Sequence, residues 1–172
     1  MKFSTGLQRV FEDAQLIAQR YACDHLETWH ILLAFVINHD TVAGAVLAEY
    51  PMSISDFEHA TFVVTEKVYR EELDKFNILS SSKRLEDTAQ FARKIAEVVK
   101  AKELGSEHLF QAMLLDKRST ASQILDKVGF HFEEIEDEFR FVDLRKNLEY
   151  RRENSSFLMK ATITNSKVRS NK

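Results

Sequence analysis

The sequence predicts an all-α fold: a pseudo-twofold bundle of two tandem four-helix repeats, about eight helices in all. Three observations predict it. The first is an internal repeat in one fixed register, in which residues 4–60, moved forward by 78 positions, overlay residues 82–138 without a gap. Ser4 falls on Ser82, Leu7 on Leu85, Ala14 on Ala92, Ala18 on Ala96, Leu26 on Leu104, His30 on His108, Ala34 on Ala112 and Leu47 on Leu125. A unit of this length is too long for a solenoid repeat and reads as a duplicated helical module. The second is a scarcity of turn residues, four Gly and one Pro in 172 residues, which disfavours sheets and long loops. The third is apolar spacing at the helical period of 3.6 residues.

The first helix carries its buried stripe on Leu7, Val10, Phe11, Ala14, Ile17, Ala18 and Tyr21. Its copy uses Leu85, Ala89, Ala92, Ile95, Ala96 and Val99, with Thr88 standing in for Val10. Ser4 and Ser82 precede the stripes as N-caps. After short turns over 23–27 and 101–105, Thr28 and Ser106 are read as caps of a second helix. Its bodies, 30–37 and 108–115, are apolar nearly all round, which marks a central helix. Thr41 and Ser119 open a third, shorter helix, ended by Pro51 and Gly129 at matching positions. A fourth starts near Ser53, whose spacing to Asp56 is that of a capping box. Its expected inner stripe is Ile54, Phe57, Thr61, Val64 and Val68, with Phe132, Ile135, Phe139 and Val142 in the copy. The domain is expected over 1–148: one repeat over about 3–69, a connector over about 70–81 and a second repeat over about 82–145. The connector has no Gly or Pro and is short, so the repeats should touch.

Apolar residues make up 44% and charged residues 30%, ordinary for a soluble globular chain. No apolar run reaches the roughly 18 residues of a membrane span, and Met1–Thr5 lacks the pattern of a secretory signal. A cytoplasmic location is expected. The single Cys23 excludes an internal disulfide and a cysteine-based zinc site. The net charge of −3 is uneven, with Arg145–Lys172 at +6 and the remainder at −9. Residues 149–172 read as a basic, linker-like tail. A nucleic-acid-binding role through that tail is the alternative function, and it would show as a steep loss of affinity with salt. The acidic body argues against it.

The chain lacks G-x-x-x-x-G-K-[ST], G-x-S-x-G and H-E-x-x-H motifs and has no Cys/His ligand cluster. His30 and His108 are equivalent, and an enzymatic reading would pair them across the pseudo-twofold. The structural reading makes each an imidazole that packs and hydrogen-bonds at a helix start. No acidic or cysteine companion recurs in both copies to complete a site, which favours the structural reading. His25, His39, His59 and His131 read as surface residues. Phe3 and Phe76 belong to no stripe and are candidates for a groove between modules, with a hydrophobic staple as an equal alternative for Phe3.

Thr28-Trp29-His30-Ile31-Leu32 and Ser106-Glu107-His108-Leu109-Phe110 resemble the twice-used T-E-H-[IL]-L of the N-terminal domain of bacterial Clp unfoldases. The segment 42–47 is similar to the later A-x-x-x-L element of that family, and 143–149 resembles the exit of its ClpC type toward the ATPase region. The likeness covers residues 3 to about 144. It implies a non-catalytic receiver of adaptor proteins and of tagged or partly unfolded substrates for an AAA+ ring that feeds a barrel protease. It also implies that ATP is bound only by AAA+ modules that this sequence does not contain, so no cofactor is expected in this chain.

Some ClpC-type domains read phosphoarginine through a helix-capping Thr, a nearby basic residue and the Glu of T-E-H. The physics is a phosphate at a helix start and a guanidinium on a carboxylate. Carried onto this sequence, the second copy keeps Ser82, Arg84, Ser106 and Glu107, whereas the first keeps Ser4 but has Gly6 and Trp29. An indole cannot accept a hydrogen bond from a guanidinium and could only stack on one. The resemblance therefore implies at least one damaged tag site. A site could also combine one copy's cap with the other copy's carboxylate, Ser4 with Glu107 and Ser82 with Trp29.

Overall fold

A computed structural model describes residues 1–73 and 75–130. The element order is α1 (Thr5–Arg20), β1 (His25–Leu26), α2 (Thr28–Ile37), α3 (Val42–Ala48), α4 (Ile54–Thr65), β2 (Ser80–Ser81), α5 (Lys83–Val98), α6 (Ser106–Leu115) and α7 (Thr120–Lys127). Among the described residues there are thus seven helices, and the all-α expectation holds. The expected fourth helix of the second repeat, His131, the 143–149 motif and the 149–172 tail lie outside the described residues.

The amphipathic helices α1 and α5 bury the stripes that their spacing predicts. Leu7, Val10, Ala14 and Ala18 are buried in α1, and Leu85, Thr88, Ala92 and Ala96 in α5. Thr88 meets the core with a polar group and satisfies it internally, donating its hydroxyl to the Arg84 carbonyl at 2.8 Å. Ser4 and Ser82 cap these helices, their hydroxyls accepting from the N–H groups of Leu7 and Leu85 at 3.2 Å each. Both helices end on a non-glycine residue in the left-handed region, Ala22 at φ 51° and Lys100 at φ 56°. The chain then bonds back across the last turn, from Cys23 N–H to the Ala18 carbonyl and from Ala101 N–H to the Ala96 carbonyl, the closure of a Schellman motif.

The second helices are central. Residues 28–36 of α2 are buried, and so are all of α6 but Gln111 and Leu115. Their caps correct the sequence expectation. Thr28 and Ser106 are the first helical residues, and the caps are Glu27 and Gly105. The side chain that satisfies each cap N–H is a histidine three residues on. His30 Nδ1 accepts from Glu27 N–H at 2.8 Å, and His108 Nδ1 accepts from Gly105 N–H at 3.0 Å. A third-position side chain reaching back is the inner half of a capping box.

The two repeats exchange backbone bonds reciprocally. Ser4 N–H donates to the Leu104 carbonyl at 2.8 Å, and Ser82 N–H donates to the Leu26 carbonyl at 2.9 Å. Around these bonds Phe3 bridges Leu104, and Ser80–Ser81 pair in parallel with His25–Leu26. Further in, α2 packs on α7 and α6 on α3, again as equivalents. Phe35 and Phe110 meet edge to face at 5.8 Å at the centre.

The fourth helix of the first repeat starts as expected. Ser53 Oγ accepts from Asp56 N–H at 3.2 Å, and an Asp56 carboxylate oxygen accepts from Ser53 N–H at 2.7 Å. Its stripe needs correction. Phe57 and Thr61 are buried, but Ile54 is 50% exposed and Val68 is 65% exposed. The helix ends at Thr65 because Glu66 turns into the left-handed region at φ 58° and the Thr65 hydroxyl accepts from Lys67 N–H, so Val68 lies beyond it. The connector then runs along α1, held by glutamines. Gln15 donates to the Leu79 carbonyl and accepts from Leu79 N–H, both at 2.9 Å, and Gln19 accepts from Asn77 N–H at 2.7 Å.

Two backbone positions should respond in opposite directions. A Cβ on Gly44 would overlap the carbonyl oxygens of Asn38 and Phe35, so Gly44→Ala should destabilise by about 1–3 kcal/mol. Ala22→Gly, at an exposed left-handed cap, should stabilise by about 0.5–1 kcal/mol. Urea unfolding followed by circular dichroism reads both, and equal signs would contradict this account of the backbone.

Candidate recognition surface

The reciprocal exchange decides what lies beside what. The start of α1 sits at the end of the 101–104 turn of the other repeat, immediately ahead of α6. The start of α5 sits equally at the end of the 23–26 turn, ahead of α2. Each junction therefore joins one repeat's first-helix cap to the other repeat's second-helix start. This mixed pairing is one of the two arrangements left open by the sequence.

At the α5–α2 junction the Ser82 hydroxyl does two jobs. It accepts from Leu85 N–H and donates to a Glu27 carboxylate oxygen at 2.9 Å. Sequence reasoning misses Glu27, because Gly105 occupies its counterpart position. The signal that could find it is its place one residue ahead of the Thr28-Trp29-His30 start, where a carboxylate suits a helix dipole. Trp29 is 4% exposed and packs edge-on against Tyr21 at 5.1 Å and over His30 at 3.7 Å. Its ring is a core element with no face presented to solvent for stacking. Arg84 lies on the exposed side of α5 and forms an ion pair with Asp116 at 2.6 Å.

At the α1–α6 junction the Ser4 hydroxyl accepts from Leu7 N–H. Ser106 is buried, and its Oγ accepts from Ala43 N–H of the first repeat at 3.3 Å, a bond that ties α6 to α3. Glu107 is also buried, at 6% exposure, and its carboxylate folds back over Gly105, filling the space a side chain there would need. One of its oxygens stands 3.5 Å from His108 Nδ1. Phe3, half-buried, stacks on Phe11 at 5.2 Å, while Phe76 in the connector is 56% exposed.

His30 and His108 have no exposure. Because each Nδ1 accepts a backbone N–H, the imidazole is neutral with its proton on Nε2. Burial pushes the His30 pKa down to about 3, with Lys67 adding to the effect. Burial also lowers that of His108, against the opposing field of Glu107. Burial holds the Tyr21 hydroxyl up at about 12 and raises the Cys23 thiol, so neither is activated as a nucleophile. Among the described residues no three His, Cys, Asp or Glu side chains converge as metal ligands, and no single helix is long and apolar enough to cross a membrane.

Comparison with known proteins agrees with this architecture. The family model described as "Clp repeat (R) N-terminal domain" matches residues 2–128. The fold is similar to that of the N-terminal domain of the caseinolytic-protease-associated chaperone ClpD from Arabidopsis thaliana, with 15% identity, a TM-score of 0.64, and coverage of 77% of this chain and 90% of that one. It is also similar to that of the Hsp104 N-terminal domain from Candida albicans, with 18% identity, a TM-score of 0.60, and coverage of 77% and 85%. A structure from a malarial protein secretion system matches with 18% identity, a TM-score of 0.63, and coverage of 81% and 93%. No curated protein matches the chain in sequence.

The histidine caps make stability fall with acidity. The folded pKa of each is depressed, so the unfolded chain binds more protons below its ordinary value near 6.5. Their contribution is fully present above about pH 6.5 and declines as pH drops, for His30 down to about pH 3. The slope should be on the order of 1 kcal/mol per pH unit for each histidine. Urea titrations at pH 7 and pH 5 check it, and His30→Gln should flatten the dependence. An unchanged dependence in that variant would contradict the neutral-cap assignment.

Proposed function

Because this chain belongs to the Clp repeat N-terminal domain family, we propose that it receives polypeptide substrates and adaptor proteins for an AAA+ unfolding motor of the ClpC type and performs no chemistry of its own. The observation that carries the reading is the family match over residues 2–128. The geometry is compatible with it: the histidines hydrogen-bond at helix starts inside the core, while apolar side chains such as Phe76, Phe91 and Leu115 reach solvent. The similar ClpD domain belongs to a chaperone associated with a caseinolytic protease, which is consistent with the reading. Fluorescence anisotropy with a labelled, reduced and carboxymethylated protein tests it. The domain should bind the unfolded label at micromolar concentration and ignore its native form; failure to bind the unfolded form would overturn the proposal.

Phosphoarginine reading is the narrower version. The α1–α6 junction supports it best, since Ser4 there stands beside the start of the helix that carries Glu107, a buried carboxylate with no cationic partner among the described residues. The other junction is less suited: Ser82 and Glu27 already satisfy each other, and Arg84 is held by Asp116. Calorimetry with free phosphoarginine should show no more than one site per chain, weakened at least tenfold by Glu107→Ala. Two equal sites indifferent to that substitution would refute the assignment.

A further inference from the structure

Between α5 and α6 the second repeat opens a cleft of about 640 Å³, within the rough 300–1,000 Å³ range of ligand sites. Its apolar surface comes from Phe91, Ala112 and Leu115, and its rim carries Lys83, Arg84 and Arg118 with Asp87 and Asp116. Phe91 and Leu115 remain 43% and 42% exposed. The first repeat provides an internal reference for the same place. There Asp13 stands where Phe91 stands, and Asn38, at the position of Asp116, donates to its carboxylate at 2.7 Å, so a polar contact spans the notch. The rim differs as well. Arg9 pairs with Asp40 in the first repeat, and the counterparts carry inverted charge, Asp87 and Arg118. That second pair is not made. Lys83, which replaces Thr5, takes Asp87 at 2.8 Å, and Arg84, which replaces Gly6, takes Asp116. Both acids of the rim are thus neutralised, and Arg118 is left exposed with no partner among the described residues.

We propose that this cleft seats an acidic–apolar segment of a partner polypeptide, an apolar side chain lying on Phe91 and Leu115 and a neighbouring carboxylate pairing with Arg118. The inference rests on the receiving role proposed above and names its docking site. Charge complementarity selects the occupant. An uncompensated guanidinium beside a bare phenyl ring calls for an anion next to an apolar group, and Arg meets a carboxylate through paired hydrogen bonds. A basic segment would meet the uncompensated charge of Arg118 on a rim whose other two cations are already paired, and is disfavoured. The first repeat keeps an exposed apolar residue at the same place, Ile37 where Leu115 stands, but Asp13 replaces the phenyl ring and Arg9 is paired with Asp40, so the ring and the free cation occur together only on repeat 2.

Amide shifts of the ¹⁵N-labelled full chain, titrated with a blocked hexapeptide of leucine, phenylalanine and glutamate, test the site. Shifts should cluster around Phe91, Leu115 and Arg118, and the peptide with lysine in place of glutamate should bind at least tenfold more weakly. Arg118→Asp and Phe91→Asp each install the first repeat's residue at an exposed position, and each should weaken binding at least tenfold. Lys83→Thr should weaken it several-fold by releasing Asp87 to pair with Arg118. Should Phe91→Asp misfold by circular dichroism, Arg118→Asp decides alone. Shifts centred elsewhere, or equal affinity for both peptides, would overturn the cleft. Retained binding of the unfolded label by Arg118→Asp would overturn it too while leaving the receiving role intact, whereas absence of such binding in the unaltered chain would remove that role itself.

Discussion

Ser4 N–H ends on the Leu104 carbonyl and Ser82 N–H on the Leu26 carbonyl, and the rest of the arrangement depends on this exchange. Each bond uses the N–H of a cap residue, a group outside the helix that needs a partner when the chain turns inward. The partner is supplied by the other repeat, so neither first helix can start in its observed setting without the opposite half. The exchange fixes register too. It lays Phe3 against Leu104 and Ser81 against Leu26, and from there α2 reaches α7 and α6 reaches α3. A duplicated sequence thereby becomes one domain with a shared core.

The central helices impose the second constraint. With nearly every side chain of α2 and α6 buried, their starting N–H groups lie where water does not reach. A serine or threonine cap solves this where a small hydroxyl suffices, as Ser53 and Thr41 show. At the starts of α2 and α6 a different donor is met: an imidazole at the third helical position reaches back to the N–H of the cap residue itself and fills space as well. Its neutral form is required, since the nitrogen that accepts the backbone N–H cannot also hold a proton. The same geometry that completes the core therefore removes both histidines from acid–base chemistry at neutral pH.

Much of this is legible in the sequence, because the stripes of α1 and α5 and the caps Ser4, Ser82, Thr41 and Ser119 are local features with local causes. Sequence reasoning fails where a distant element decides. Thr28 and Ser106 have the chemistry of caps, yet each is already the first helical residue after Glu27 or Gly105, and the Ser106 hydroxyl reaches Ala43 in the other repeat instead. Val68 continues a helical period that the chain abandons at Glu66, where the Thr65 hydroxyl captures the next turn's N–H and the connector is drawn onto the glutamines of α1. Trp29 stands in the sequence where a binding-site acid is expected, and the fold puts it in the core. Its burial depends on Tyr21, which itself packs against Tyr69 of the connector at 5.4 Å, a contact across almost fifty positions that no periodicity reports.

Aligned residue by residue, the two second-helix starts have lost their likeness: Glu27 faces Gly105, and Trp29 faces Glu107. In space the likeness survives. In the first repeat the carboxylate comes from the cap residue itself. In the second the cap has no side chain, and the carboxylate of Glu107 folds back over the vacated place. Each repeat thus keeps one negative charge at the positive end of its central helix, where it is favoured by the dipole and by nearby N–H groups. The two solutions compete for one place, because a side chain at position 105 would require the Glu107 carboxylate to swing out of the position it holds. In each repeat the acid and the residue beside it fit that place together. With its acid at position 27, the first repeat can use position 29 for an aromatic ring that fills its core. With its acid at position 107, the second repeat has no such ring to place. A motif that looks lost in the alignment is, physically, the same charge delivered from a different residue, with the consequence that the two junctions differ in how far their carboxylates are already engaged.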